Sequence, residues 1–282
     1  MSKVRIVTDS TADIPQEIIH QLGIIVVPLK VTIGEEVYRD GVDITTREVT
    51  AKMEKDKVIP TTSQPSPGEF VAVYERLIAK GESVISIHLS GKLSGTVQSA
   101  QTAKTMTDSK NIYIVDTKSA SMGLGLIVIA AARAAREGLS AREVLYLVKE
   151  KIERSFVIFL VDTLEYLEKG GRIGKASAFL GTLLKIKPIL TIDSDGQVVP
   201  MEKVRGKARA LERIAQIVCD KTDSSKFYEC AAIYGNDYTG VNKLKEQLEP
   251  VSHCSITVTT ELGTVILSHT GPGLVGIAVC PG

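Results

Sequence analysis

Apolar positions in the first half of the chain alternate between two textures. Residues 4–8, 84–89 and 112–115 form short, continuous, β-branched runs, as in strands buried on both faces of a parallel sheet. Between them, residues 15–22, 67–79, 94–106 and 121–136 repeat at helical period, several opening on Ser or Pro as cap or first-turn residues. This alternation predicts an N-terminal α/β domain with a largely parallel sheet.

The texture changes near residue 155. A polar helical segment, 148–155, runs into the apolar strand 156–161, which sets the expected domains at residues 1–155 and 156–282. Further strands are expected at 189–192, 198–204, 229–234, 255–259, 264–268 and 274–279, with Asp195-Gly196 as a hairpin turn between the first two. The second domain therefore reads as α+β, with a mixed or antiparallel sheet and helices on one face. A helix starting near Thr163 should end at Gly170-Gly171. The chain shows no internal repeat and no low-complexity tract.

Composition narrows the partners more than the fold. At 282 residues there is ample mass for two domains, and a net charge of +1 supplies no general attraction for nucleic acid. Aromatics amount to 5% with no Trp, so base-stacking platforms are not expected. Cys219, Cys230, Cys254 and Cys280 lack CxxC or zinc-like spacing, and no secretory signal precedes the first strand, which points to a reducing cytoplasm. The most apolar stretch, 122–132, is too short to span a bilayer and reads as a buried helix.

Two hydroxyl-rich loops stand out. The strand 84–89 runs into Ser90-Gly91-Lys92-Leu93-Ser94-Gly95-Thr96 at the start of a helix, where free N–H groups and the positive dipole end attract carboxylate or phosphate. Ser94 is either a ligand donor or a simple N-cap. Residues 59–67 carry three prolines and four hydroxyls; they are either a stiffened grip centred on Thr62 or a rigid connector whose hydroxyls cap the next helix. His269, in Ser268-His269-Thr270-Gly271-Pro272-Gly273, is the histidine best placed to meet an anion, whereas His20, His88 and His253 read as packing or solvated. Arg172 and Lys175 follow the Gly-Gly helix end and either meet a phosphate or acidic partner or complement a helix C-terminus. Asp9 and Asp116, at strand ends, are better suited to orienting loop N–H and hydroxyl groups than to touching an anion. No GxGxxG or P-loop pattern is present, so no nucleotide cofactor is expected. A competing reading makes Ser94 a nucleophile and His269 its base in an esterase or thioesterase, but there is no G-x-S-x-G elbow and no evident third member.

Taken together, the segments Asp9-Ser10-Thr11-Ala12-Asp13-Ile14-Pro15, 60–65, 89–100, 164–187 and 269–273 resemble, in order, the DegV family of fatty-acid-binding proteins. The resemblance implies two α/β domains with a long-chain fatty acid between them, its tail in an apolar tunnel. It implies carboxylate contacts from Thr62 and Ser94, with Thr61 as the alternative to Thr62, and supporting donors at His269 and Arg172. Candidate tunnel walls are residues 123–127 and Phe159, Leu160, Phe179, Leu180 and Leu183. It also implies a partner, since members of this kind serve as the acyl-carrier subunit of a bacterial fatty acid kinase. They present the carboxylate to a separate ATP-binding subunit, require no cofactor beyond the lipid and do not insert stably in membranes. Gly91 departs from the family pattern, standing where a second Ser is expected.

Overall fold

The computed structural model describes residues 3–181 and 186–282. In chain order the first half forms β1 (Val4–Asp9), α1 (Gln16–Leu22), β2 (Ile25–Val27), β3 (Lys30–Ile33), β4 (Glu36–Arg39), α2 (Thr46–Asp56) and β5 (Thr61–Ser63). It continues with α3 (Pro67–Ile78), β6 (Ser83–His88), α4 (Thr96–Thr107), β7 (Ile112–Asp116), α5 (Met122–Arg136) and α6 (Ala141–Arg154). The second half holds β8 (Phe156–Leu160), α7 (Glu165–Lys169), β9 (Ile186–Ile192), β10 (Val198–Arg205) and α8 (Lys207–Lys221). It ends with β11 (Tyr228–Tyr234), α9 (Tyr238–Leu248), β12 (Cys254–Glu261), α10 (Thr264–Thr270) and β13 (Val275–Pro281).

The chain is a two-domain α/β protein. Its N-terminal sheet has the order β2-β1-β6-β7, all parallel. Alternation along the strands divides its side chains between two helical layers. Val7, Val84 and Ile112 pack with Phe70, Tyr74 and Ala100 of α3 and α4, while Ile6, Ile85 and Ile87 pack toward α5 and α6. The C-terminal sheet has the order β10-β9-β8-β13-β11-β12 and is mixed: β11 and β12 are parallel and the other pairs antiparallel. One face, with Ile158, Leu160 and Ile277, is covered by α8 and α9. The other, with Val157, Phe159 and Ala278, joins the same core as α5.

Helix α5 packs against strands of both sheets, β1 and β6 on one side and β8, β11 and β13 on the other. That is why the segment 122–132 is apolar around its whole circumference: a helix between two sheets has almost no solvent face. No helix among the described residues is long and apolar enough to cross a membrane.

Two elements differ from the sequence expectation. A third, antiparallel sheet of order β4-β3-β5 pairs Val31 with Thr62, so the proline-flanked hydroxyl segment is a short strand and not a loop. Residues 264–270, expected to begin as a strand, are helix α10. Their β-branched run favours a strand locally, but tertiary anchors override that preference. Asp40 accepts the Thr264 N–H at 2.9 Å, Asp13 accepts the Gly263 N–H at 3.0 Å, and the Ser268 hydroxyl donates to the Thr264 carbonyl one turn back.

Candidate functional site

A cavity of ≈ 300 Å³ lies where β5, the loop after β6, α10 and the inner face of the C-terminal sheet meet. Most of its wall is apolar, with Leu29 and Leu89 from the first half and Val157, Phe159 and Ile192 from the second. Its polar lining includes Thr62, Gln64, Ser94, Arg172 and His269.

Local structure explains each position. Successive side chains of β5 point to opposite faces. Thr62 lines the cavity, with Ser63 and Gln64 after it at the end of the strand, whereas Thr61, the alternative contact, is exposed and outside it. Ser66 supplies the capping function considered for this segment: its hydroxyl accepts the Glu69 N–H in a capping box, with Pro67 in the first turn of α3. The capping reading of residues 59–67 thus falls to Ser66, while Thr62 faces the cavity. Gly95 occupies the N-cap position of α4, yet the Ser94 hydroxyl accepts the Thr96 N–H at 3.3 Å, so the capping reading holds in part. The Ser94 hydroxyl lies 2.9 Å from Thr96 Oγ1 and lines the cavity.

His269 sits in the last turn of α10, not in the glycine turn that follows. Its Nε2 is 2.7 Å from Thr62 Oγ1, and its Nδ1 is buried without a hydrogen-bond partner. Burial, then the nearby Arg172 cation, push the imidazole down to about 4, so it is neutral near pH 7. A buried unpaired N–H is costlier than an unpaired lone pair, which assigns the proton to Nε2. The Nε2–H then donates to Thr62 Oγ1, and the Thr62 hydroxyl proton is free to point into the cavity.

Arg172 reaches the same cluster from the loop after α7. Its Nε donates to the Leu93 carbonyl at 2.9 Å and its Nη1 to the Gly170 carbonyl at 2.8 Å. These bonds tie the cation to the residue preceding Ser94. Gly170-Gly171 ends α7 as expected, with Gly170 as the cap and Gly171 at φ +70°. Gly170 has a second role: a Cβ there would collide with His269 Nδ1. Gly95 is constrained in the same way by the Gln64 amide, which donates to Ser99 Oγ at 3.2 Å.

Other sequence candidates lie elsewhere. Lys175 is exposed, pairs with Asp193 at 2.7 Å and does not line the cavity. Asp9 and Asp116 orient loops: Asp9 accepts the Leu89 N–H, and Asp116 accepts the N–H groups of Gly91 and Lys118. Among the tunnel candidates, Phe159 is a wall residue, but residues 123–127 are core in α5 and Leu160 faces the opposite side of the sheet. Phe179 lies under Lys203 Nζ at 4.5 Å, Leu180 is exposed, and Leu183 lies outside the described residues. Ser94 and His269, the pair a hydrolase would need, bond to Thr96 and Thr62 and not to each other. Gln64, Gly95 and Gly170 were not singled out as site residues by sequence, because their importance rests on contacts across the fold.

The chemistry available is therefore a cluster of neutral hydroxyl donors and one cation at the wall of an apolar chamber, which suits an anionic head on a hydrocarbon body. Known proteins share this architecture. A structure from Thermus thermophilus, described as showing fatty acid binding of a DegV family protein, superposes with a TM-score of 0.94 at 40% identity, covering 99% of this chain and 100% of that one. DegV from Bacillus subtilis, described as a fatty acid binding protein, gives 0.89 at 34% identity, with 100% of both chains covered. A DegV domain-containing protein of Halalkalibacterium halodurans is 37% identical over 280 residues, 99% of this chain and 98% of its own length. A family model described as "Uncharacterised protein, DegV family" matches residues 3–282. With fold and sequence in agreement from end to end, the chain belongs to the DegV family.

Proposed function

We propose that this protein binds one long-chain fatty acid in the cavity and presents its carboxylate to a separate ATP-binding kinase subunit, which phosphorylates it to an acyl phosphate. The observation that carries the reading is the convergence of Thr62, Ser94 and Arg172, with His269 behind Thr62, on a chamber that is otherwise mostly apolar. The related structures described as fatty acid binding support the ligand class.

The energetics divide between the two parts of the ligand. Burying about sixteen carbons at roughly 0.8 kcal/mol per methylene gives a gross gain on the order of 10 kcal/mol before ordering costs. Hydrogen bonds to the charged head, about 1.5 to 3 kcal/mol each, mainly offset its desolvation and fix its orientation. Arg172, with two of its three nitrogens committed to protein carbonyls, is the group that would face the phosphoryl group as charge builds on it.

Denaturing mass spectrometry of solvent extracts from the purified protein tests the ligand. A long-chain fatty acid should co-purify in near-stoichiometric amount. If none does, and none added binds at micromolar concentration, the reading fails. Kinase presentation is tested by adding an ATP-binding fatty acid kinase subunit and assaying acyl phosphate, which should form only when both proteins are present.

A further inference from the structure

Thr62 and Ser94 come to the cavity from separate parts of the N-terminal domain. Thr62 belongs to the antiparallel sheet β4-β3-β5, and Ser94 to the loop between β6 of the parallel sheet and α4. Each has its own support: the His269 ring meets the Thr62 hydroxyl, while Thr96 meets the Ser94 hydroxyl and Arg172 holds the Leu93 carbonyl beside it. None of these three contacts joins Thr62 to Ser94. Their spacing decides whether both can reach one carboxylate, because a hydrogen bond weakens steeply outside a short range of distance and angle.

Gln64 bridges the two. It stands at the open rim of the cavity, exposed yet part of the lining, just past the end of β5. Its backbone is held on both sides, by the strand before it and by the buried Pro65 after it, which restricts Gln64 to extended conformations. From there the side chain crosses to the first turn of α4. The Nε2 donates to Ser99 Oγ at 3.2 Å, and the amide rests against Gly95, where a Cβ would be 2.5 Å from Nε2 and 2.7 Å from Cδ. Gly95 and Ser99 are themselves one rung of the helix, the Ser99 N–H donating to the Gly95 carbonyl at 2.9 Å. Among the described residues, the Gln64–Ser99 bond is the one direct hydrogen bond between residues 61–64 and residues 90–99. Gly95 has φ −75°, open to any L-residue, so its backbone does not call for glycine; the seat for the amide does.

We propose that Gln64 is a positioning residue: by resting on Gly95 and bonding Ser99, it fixes β5 against the start of α4 at the spacing at which Thr62 and Ser94 hold the same carboxylate. The inference rests on the fatty acid reading of the cavity. Gln64 acts through the two hydroxyls, so its contribution belongs to the carboxylate end of a ligand and not to the apolar wall that receives the tail. Any change that unseats the amide should therefore have the same consequence, whether it shortens Gln64 or fills the space at Gly95. The amide is the far end of a flexible side chain, so an alanine at position 95 should turn it aside and leave the fold intact.

The test uses delipidated full-length protein and compares palmitic acid with hexadecanol, which has a chain of the same length but no carboxylate, in a fluorescence displacement assay. Gln64→Ala should weaken palmitic acid binding by about tenfold and leave hexadecanol binding unchanged. Gly95→Ala should do the same, and the double variant should be no weaker than either single one, since both unseat one amide. Ser99→Ala, which removes the bond and keeps the seat, should give a smaller loss confined to the acid. If Gly95→Ala does not fold, Ser99→Ala takes its place, and combined with Gln64→Ala it should be no weaker than Gln64→Ala alone. Unchanged palmitic acid affinity in Gln64→Ala, equal losses for acid and alcohol, or losses that multiply in the double variant would overturn the positioning role. Absence of palmitic acid binding by the unaltered protein would instead overturn the fatty acid reading itself.

Discussion

Two histidines in this molecule occupy opposite situations. His88, on β6, is wholly buried, and both ring nitrogens are engaged: Nδ1 is 2.9 Å from Asp9 Oδ2 and Nε2 is 2.7 Å from Ser86 Oγ. The Tyr74 hydroxyl extends that network to Ser86 at 2.8 Å, and the Phe70 ring meets the imidazole edge-on at 5.1 Å. His269 has one engaged nitrogen and one with no partner, and it lines a cavity. The arrangement of Ser86, His88 and Asp9 has the hydrogen-bonding order of a catalytic triad, yet it is sealed within the parallel sheet. The fully engaged histidine is locked into the fold, whereas His269 acts at the cavity wall through Thr62, which its Nε2 orients.

Substitution should separate these roles. His88→Ala leaves Asp9 buried without its ring partner and empties a packed site. It should cost roughly 3 to 5 kcal/mol in urea unfolding, as for breaking other buried polar pairs. His269→Ala should cost far less stability while weakening fatty acid binding. Equal stability losses for the two would remove the distinction. Thr62→Ala combined with Ser94→Ala should reduce fatty acid affinity well over tenfold in a fluorescence displacement assay with the melting temperature nearly unchanged, because two donors to a charged head are lost. Unchanged affinity would mean that the head group lies elsewhere.

Acid should also act in opposite senses on His269 and Asp13. His269 falls from the ordinary 6.5 to about 4 through burial and then Arg172. Between those values the unfolded chain binds a proton that the native protein does not, so stability is lost as pH falls through that window, by up to roughly 3 kcal/mol. Asp13 works in the other sense: burial raises its carboxyl well above the usual range, so its contribution is present at low pH and lost as pH rises through its native value. Urea midpoints against pH should show a shallower acid limb for His269→Gln and a shallower loss at higher pH for Asp13→Asn. Limbs that stay unchanged would place the titrations on other groups. The smallest effect is expected for Gly170→Ala, which displaces the ring at Nδ1 and should weaken binding by severalfold, in a titration with the same fatty acid.

How much of this was legible in the sequence depended on how far each contact reaches along the chain. β1, β6 and β7 announce themselves because strands buried on both faces are continuously apolar. Helix α10 does not, because its β-branched residues suggest a strand and its anchors, Asp13 and Asp40, lie 250 and 224 positions away. Thr62 could be named as a candidate, but choosing it over Thr61 requires the register of β5 on β3, which local pattern does not contain. Gly170 reads correctly as part of a helix stop, while its contact with His269 emerges only in three dimensions. Lys175 shows the converse: a cation three residues after Arg172 is turned away from the cavity to Asp193, which its place in the sequence does not reveal.

The most direct measurement is the resonance of a long-chain fatty acid isotopically labelled at its carboxyl carbon, observed by NMR on delipidated protein and titrated with acid. The donors Thr62 and Ser94 and the Arg172 cation should hold the bound carboxylate ionised to a pH below that of a solution carboxylate, and Thr62→Ala with Ser94→Ala should move its shift and raise that pH. A bound carboxyl signal that titrates normally and is identical in the double variant would contradict the assignment of the head group to this cluster.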